Sequence, residues 1–297
     1  MAARRDRLDG FGAGALFSVA LLLAVNQIVV KLVNEGLQPV FFAGLRSALA
    51  IVFVSLWMWS RGRPPVIRRD QVAAGLLIGL MFSAEFLFLF LAIDLTTVGR
   101  AAVIFYSMPV WFSLAAHFGL AGERLTPIRA LGLAFAFAGT AIAILSRGTG
   151  PGPQGSLAGD LCALAGALGW AATAYVARAS RLSAAGAEVQ LFWMVLVSAP
   201  VLLLAAPFFG PLVRDFHTLH LVGLVFQAAI VVTGGFIAWL WLLSVYPAAT
   251  VASFSFLTPL LSVCLGWLLF GESLSLAFLV AAGMVAVGIV LLNRRST

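Results

Sequence analysis

Ten apolar stretches, each long enough to cross a membrane as a helix, follow one another along this chain. A transmembrane helix needs about 20 apolar residues, because it rises about 1.5 Å per residue across a hydrocarbon layer about 30 Å thick. Short clusters of Arg, Pro and Gly separate the stretches, which run approximately over residues 11–33, 39–60, 72–94, 98–121, 127–146, 157–179, 187–207, 218–244, 248–270 and 275–293. The pattern predicts an all-α membrane protein of ten transmembrane helices.

Composition supports the membrane assignment and narrows the function classes. Of the 297 residues, 62% are hydrophobic and 10% are charged, whereas soluble proteins carry about 25% charged residues. The net charge of +7 does not indicate nucleic-acid binding, because the arginines stand in short clusters between apolar stretches. Cys162 and Cys264 both lie inside apolar stretches, so neither a disulfide nor a metal pair is indicated. We expect a lipid bilayer as the surroundings, and no nucleic acid, metal or cofactor.

The distribution of Lys and Arg among the connections predicts the orientation. Successive connections between the stretches lie on opposite sides of the membrane. Counted in this way, thirteen of the 18 basic residues fall on one side and four on the other, while Arg46 lies inside the second stretch. Basic connections stay preferentially in the cytoplasm. Since the side with thirteen holds both termini, we expect both termini to be cytoplasmic.

The fourth stretch contains a proline and ends in Gly-Glu, and this pattern occurs again in the ninth. A shift of 150 residues aligns Pro109 with Pro259 and Ala102 with Ala252. A shift of 149 residues then aligns the following positions: Gly122-Glu123 with Gly271-Glu272, Leu125 with Leu274, and Gly139 with Gly288. The order helix, proline, Gly-Glu-x-Leu and glycine-containing helix therefore occurs twice.

A Gly/Pro-rich stretch over residues 148–156 separates the two copies. It divides the chain into a first half of five helices, residues 1–147, and a second half of five helices, residues 157–297. Because five is odd, the second half must enter the membrane in the opposite sense to the first. The sequence thus predicts two inverted repeats around a central cavity, an architecture that recurs in secondary transporters.

These features together resemble a known group, the EamA type of the drug/metabolite transporter superfamily. The resemblance covers essentially the whole chain and rests on the ten-helix count, the two proline and Gly-Glu-x-Leu copies, and an arginine, Arg46, early in the second stretch. It implies a carrier of small metabolites in a bacterial inner membrane, with a cavity between the halves. It also implies export of amino acids and related compounds as the expected activity.

Two ionisable residues lie well inside apolar stretches, Arg46 in the second and Glu85 in the third. Charges at such depth are costly and usually functional. Arg46 is expected to recognise a substrate carboxylate, and Glu85 to bind an ammonium group or to titrate during transport. The alternative is a structural ion pair between them, since two groups that neutralise each other need no ligand.

Pro109 and Pro259 each fall about twelve residues into a helix, where proline kinks or breaks the helix. Broken backbone at that depth is tolerated only against protein or a water-filled cavity. The symmetric placement favours a gating or cavity-lining role over simple packing kinks. Gly234 and Gly235, midway along the eighth stretch, form a candidate hinge, although glycines also permit close helix packing.

Aromatic and polar residues at similar depth complete the candidate site. A cavity lined by rings would suit apolar or aromatic solutes, including aromatic amino acids, although each ring could equally face lipid or a neighbouring helix. The remaining candidate substrate-binding residues are Tyr106, Trp111, Trp170, Tyr175, Gln227, Trp239, Ser253 and Phe256.

The sequence therefore predicts a secondary transporter that works by alternating access as a single chain, with an amino acid or related metabolite as substrate. An intramembrane enzyme would need a nucleophile with its base, or a metal cluster, and the sequence motifs of neither are present. A channel would need a continuous polar path, and two isolated charges do not form one. A membrane sensor on a transporter-like scaffold remains the principal alternative.

Overall fold

The computed structural model of this chain describes residues 9–120, 125–146, 155–246 and 257–292. Within these ranges the regular secondary structure is helical, and one isolated bridge joins Leu37 to Val213. The helices are α1 (Gly10–Gly36), α2 (Pro39–Ser60), α3 (Val72–Leu95), α4 (Val98–Phe105), α5 (Met108–Gly119), α6 (Pro127–Leu145), α7 (Leu157–Ala179), α8 (Ala187–Ala205), α9 (Thr218–Val225), α10 (Phe236–Val245), α11 (Leu257–Phe270) and α12 (Leu276–Leu292). The predicted all-α class is confirmed for the described residues.

Eight helical spans in the described ranges are long and apolar enough to cross a membrane, and two shorter apolar helices follow them. One span consists of α4 and α5 together, and another runs from α9 into α10. The two shorter helices are α11, which is described from Leu257 onward, and α12. Each of the ten predicted stretches thus has a helical counterpart.

The fourth span is interrupted just before Pro109. Helix α4 ends at Phe105, a turn occupies Tyr106 and Ser107, and α5 begins at Met108 with Pro109 in its first turn. Proline is favourable there, because the first turn has no intrahelical partner for the missing N–H. The Ser107 hydroxyl donates to the Ile104 carbonyl at 2.6 Å and accepts from Trp111 Nε1 at 3.1 Å. The break therefore lies in the turn that precedes the proline.

A π-helical segment, Phe226–Gly235, connects α9 to α10. The Thr233 hydroxyl donates to the Ala228 carbonyl at 3.0 Å, five residues earlier in the chain. Such widened turns are rare and are frequent at functional sites. The segment ends at Gly234 and Gly235, of which Gly234 is exposed and Gly235 is buried.

The most extensive helix contacts join the first half of the chain to the second. Helix α3 packs along α7, α6 along α12, and α2 along α8. The largest apolar core also draws from both halves, with Phe42, Phe90 and Ile104 from the first and Val263 and Phe278 from the second. The space at the centre of the bundle is therefore enclosed by helices of both halves.

Glycines permit the closest of these approaches, and Gly288 gives a testable case. A Cβ atom added at Gly288 would lie 2.5 Å from Ala136 Cβ and 2.6 Å from the Gly132 carbonyl oxygen on α6, whereas one added at Gly283 on the same helix would meet nothing within 4 Å. We expect Gly288→Ala to destabilise the protein by about 1–3 kcal/mol through overpacking. The melting temperature in detergent should fall for Gly288→Ala and stay constant or rise for Gly283→Ala. Equal melting temperatures would contradict the packing argument.

Candidate functional site

A cavity of about 550 Å³ lies between the two halves of the chain. This volume is within the range of small-molecule sites in proteins. Its wall is largely apolar and aromatic, with contributions from Leu16, Val19, Leu23, Phe82, Phe86, Leu89, Phe105, Trp170, Phe236 and Trp239. A site of this kind buries an apolar or aromatic solute and uses a few polar groups to orient it.

The cavity reaches from the middle of the bundle toward one end. We call the end at which α1 begins the near end, and the end at which α1 finishes at Gly36 the far end. Helix α1 lines the cavity only from Leu16 to Gln27. Helix α12 lines the cavity only at Ile289, close to the end of that helix that lies at the near end of the bundle. The far third of α1 contributes nothing to the wall, so the cavity is displaced toward the near end.

Arg46 of α2 lies in the cavity wall and is 2% exposed. Its guanidinium carbon stands 3.8 Å from the centre of the Phe86 ring and 5.1 Å from that of Phe90. These ring faces stabilise the cation. The Nε and Nη2 groups nevertheless have no hydrogen-bond partner among the described residues. Arg46 thus contributes to the cavity wall a buried cation with two donors that have no hydrogen-bond partner among the described residues.

Glu85 of α3 lies in the same wall and is 4% exposed. Its Oε2 atom has no hydrogen-bond partner in the described part of the chain, and the Thr173 hydroxyl of α7 is its polar neighbour. No ion pair within 4.0 Å joins Glu85 to Arg46. The direct ion pair considered from the sequence is therefore not formed in this structure.

Five other candidates from the sequence lie in the wall: Tyr106, Pro109, Trp170, Gly235 and Trp239. The Trp170 ring stacks on Phe105 at 5.0 Å between centres, and the Tyr106 ring meets Trp170 edge-on at 5.6 Å. The break between α4 and α5 brings Tyr106 and Pro109 to the cavity together. These rings form one continuous aromatic surface.

The remaining candidates lie elsewhere. Trp111 packs edge-on against Phe137 of α6, and the Tyr175 hydroxyl lies against Gly119 of α5. Gln227 is fully buried beside the cavity and donates through Nε2 to the Asn26 side-chain and main-chain oxygens. Pro259 is buried and Gly234 is exposed, and neither is in the wall. Ser253 and Phe256 lie outside the described residues, as does Gly122-Glu123.

Comparison with known proteins assigns the chain to a family. The model of the EamA-like transporter family matches it twice, over residues 10–145 and over residues 157–294. The chain belongs to the EamA-like transporter family. It is a multi-pass membrane transporter, and the family resemblance predicted from the sequence is confirmed.

Relatives of this EamA-like transporter match along most of their length. The uncharacterized transporter YoaV of Bacillus subtilis is 22% identical over 92% of this chain and 94% of its own. A "Probable amino-acid metabolite efflux pump" of Salmonella typhimurium is 25% identical over 96% and 94%, and the uncharacterized inner membrane transporter YedA of Escherichia coli is 25% identical over 94% and 90%. A solved structure described as "Crystal structure of protein" has a TM-score of 0.64 at 21% identity, covering 93% of this chain and 95% of its own, and shows the shared fold.

At the far end of the transporter, three polar links join the two halves. Asp94 of α3 forms two hydrogen bonds with Arg214, at 2.8 and 3.0 Å. Arg100 of α4 pairs with the buried Asp160 of α7 at 2.6 Å. The Glu272 carboxylate accepts from the Val98 and Gly99 amides at the start of α4, at 2.5 and 2.9 Å. These links close the end of the bundle that the cavity does not reach.

Glu272 has a larger role than the sequence indicated. The sequence pattern places Glu272 in the Gly-Glu pair at the end of the ninth stretch, and in the structure its carboxylate caps a helix of the other half. Burial raises the pKa of the Glu272 carboxyl above its ordinary value, while the Gly99 and Val98 amides and the nearby Lys31 oppose that rise. Because burying a carboxylate is costly, we infer that its hydrogen bonds with the two backbone amides stabilise this end of the transporter.

Proposed function

We propose that this EamA-like transporter exports zwitterionic small molecules, amino acids or related metabolites, by alternating access through the cavity between its halves. The observation that carries the proposal is the presence of two opposite charges, Arg46 and Glu85, in one aromatic-walled cavity, each with atoms that have no hydrogen-bond partner among the described residues. They are the two charged side chains among the described residues that line it.

The energetics of buried charge favour this substrate class. A buried ion without a partner costs several kcal/mol, and an occupant that carries both opposite charges offsets the cost at both groups. Arg46 offers Nε and Nη2 donors, whose fork suits a carboxylate. Glu85 offers a free oxygen to an ammonium group. An α-amino acid supplies a carboxylate and an ammonium group on one carbon.

The apolar part of the wall favours an apolar or aromatic side chain. Phe86 lies against Arg46, and Phe105 stacks on Trp170 in the same wall. Offset and edge-on contacts between rings contribute about 0.5–1.5 kcal/mol each beyond burial. We propose aromatic amino acids as the preferred members of the class.

The pattern of helix contacts supports an inverted repeat within the described residues. Helix α1 packs on α11 as its equivalent α7 packs on α4 and α5. The equivalent of α3 in the second half is α9 together with the π segment. Helix α3 packs on α7, and α9 and the π segment pack on α1, the equivalent of α7. Helix α3 also packs on α8, and the π segment packs on α2, the equivalent of α8. Exchanging the halves therefore maps one set of contacts onto the other. Such symmetry lets one site open alternately to either side.

The present conformation suits one stage of that cycle, with the cavity toward the near end and the far end closed. We propose that the near end faces the cytoplasm, with both termini there and the membrane being a bacterial inner membrane, because the sequence predicts thirteen of the 18 basic residues on the side on which the first stretch begins. The efflux pumps among the relatives favour export. Because the described cavity is enclosed by one chain, we propose that a monomer is sufficient for transport.

Counterflow in proteoliposomes tests the proposal. Vesicles loaded with unlabelled tyrosine should accumulate labelled tyrosine, and the uptake should saturate. Phenylalanine should compete, whereas phenethylamine and 3-phenylpropionate, which each lack one of the two charges, should compete at least about tenfold less well, since a hydrogen bond to a charged group contributes about 1.5–3 kcal/mol. Absence of exchange for every amino acid, in protein that melts cooperatively, would overturn the transport proposal and favour a sensor.

A further inference from the structure

A second group of unused polar atoms lies in the cavity wall, separate from the charged pair. It consists of Gln27 of α1, Thr258 of α11 and Tyr106 of the turn between α4 and α5. Gln27 is 2% exposed and Thr258 is fully buried. Neither Gln27 Oε1 nor Thr258 Oγ1 has a hydrogen bond of good geometry among the described residues; the Tyr106 hydroxyl interacts with both side chains but has one proton to donate, so it cannot satisfy both oxygens.

Buried polar atoms without a partner are uncommon. In native proteins the large majority of such atoms are hydrogen-bonded to protein or to ordered water, because an unmade bond costs free energy. Here two of them belong to residues that line the same cavity, on helices of different halves. The Gln27 oxygen can only accept, and the Thr258 and Tyr106 hydroxyls can donate or accept. The group therefore suits a neutral partner that donates an O–H or N–H.

Its position relative to the charged pair defines the shape of that partner. Gly169 of α7 packs directly on the Glu85 backbone, and the next residue, Trp170, contacts the Tyr106 ring at 5.6 Å. Trp170 thus links the neighbourhood of Glu85 to Tyr106. We expect a solute whose charged head lies at Glu85 to extend its side chain along this ring toward Tyr106.

We propose that Gln27, Tyr106 and Thr258 form a neutral subsite for a hydrogen-bond donor at the distal end of the substrate's side chain. This inference rests on the proposed function, in which Arg46 and Glu85 hold the amino-acid head. The transporter then prefers amino acids with an aromatic side chain that carries a hydroxyl or ring N–H over apolar amino acids of the same shape. The subsite has no charge of its own, so cationic and anionic side chains are not its ligands.

Tyrosine and phenylalanine differ by the one hydroxyl that this subsite would read. In the counterflow measurement with labelled tyrosine, unlabelled tyrosine should compete about 5- to 10-fold better than phenylalanine, as expected for one or two neutral hydrogen bonds. O-methyltyrosine, which has the oxygen but no donor, should compete no better than phenylalanine. Equal competition by tyrosine and phenylalanine in the wild-type protein would overturn the subsite and leave the transport of zwitterions standing.

The variants Gln27→Met and Thr258→Val replace the two oxygens by apolar groups of similar size. In the double variant the ratio of the two competition constants should fall to about 1. Thr140→Val on α6 is the matched control, because Thr140 is buried and donates to the Ala136 carbonyl at 2.8 Å, away from the cavity wall. That control should keep the wild-type ratio.

A second readout covers a variant that no longer transports. Each amino acid should raise the melting temperature of the purified protein by binding the folded state. Tyrosine should raise it more than phenylalanine in the wild type and equally in the double variant. A double variant that keeps the wild-type preference would assign the two oxygens to ordered water and overturn the subsite. If no amino acid is exchanged or bound by the wild type, the proposed function fails together with the subsite.

Discussion

Arg46→Met is expected to abolish counterflow of amino acids while leaving the folded protein as stable as the wild type or more so. Arg46 has two donors without hydrogen-bond partners and is 2% exposed, and no carboxylate of the described residues forms an ion pair with it within 4.0 Å. Removing a buried cation that no carboxylate contacts directly also removes its desolvation cost, which offsets the lost ring contacts. Losing one partner of a buried charge pair with the substrate costs about 2–5 kcal/mol, which lowers affinity at least about 30-fold. Counterflow rates and melting temperatures measured on the same preparations test both halves of this expectation.

Selectivity should change in opposite directions at the two charges. With Glu85 alone in the wall, the Arg46→Met variant should bind phenethylamine better than phenylalanine. With Arg46 alone, the Glu85→Gln variant should bind 3-phenylpropionate better. The control is Arg61→Met, because Arg61 is exposed at the end of α2 and does not line the cavity. A variant Arg46→Met that loses stability and keeps its selectivity would instead assign Arg46 a structural role.

The charged part of the candidate site could be predicted from the sequence, and the reason is physical. Charges inside apolar stretches are rare because they are costly, so Arg46 and Glu85 stand out without any structure. The family assignment followed from the order of the proline and Gly-Glu-x-Leu copies. What the sequence left open was whether the two charges neutralise each other, since that depends on side-chain positions across α2 and α3.

The choice among aromatic residues could not be made from the sequence. Trp170 lies in the cavity wall while Trp111 and Tyr175 do not, although all three fall at similar depth in apolar stretches. A soluble helix reveals its buried face by its apolar stripe, but a membrane helix is apolar on the side facing lipid as well. Which face meets the cavity is then decided by packing, as by the glycines that let α3 approach α7 and α8.

The links at the far end were also beyond prediction, because each joins residues far apart in the sequence. Glu272 and Val98 are 174 residues apart, and Arg214 and Asp94 are 120 residues apart. Similarly, the Gly-Glu pair gives no indication that its carboxylate reaches another helix. The break before Pro109 was closer to the prediction, since the proline indicated its place to within about one turn.

Glu272→Ala is expected to open the far end of the cavity. In the closed conformation this variant leaves the Val98 and Gly99 amides buried without their acceptor, whereas water would satisfy them once the end opens. A buried unsatisfied group costs about 1–3 kcal/mol, so the two amides disfavour the closed conformation of the variant. The population of the open conformation should therefore rise by about 10- to 100-fold. Glu272→Gln, which keeps one acceptor oxygen, should give an intermediate rise.

Labelling of a cysteine placed in the cavity measures this opening. Leu89 of α3 lines the cavity and is 2% exposed. The label position is Leu89→Cys, in a protein whose two native cysteines are removed by Cys162→Ala and Cys264→Ala. This cysteine should react slowly with a membrane-impermeant maleimide added outside spheroplasts. Adding Glu272→Ala should speed the reaction at least about tenfold, in proportion to the open population. Glu35→Ala is the control, because Glu35 is exposed at the same end of α1 and its side chain makes none of the three links. If the labelling rate of the Glu272→Ala protein equals that of the control, Glu272 does not hold the far end closed. The Asp94–Arg214 and Arg100–Asp160 pairs must then keep that end closed without the carboxylate.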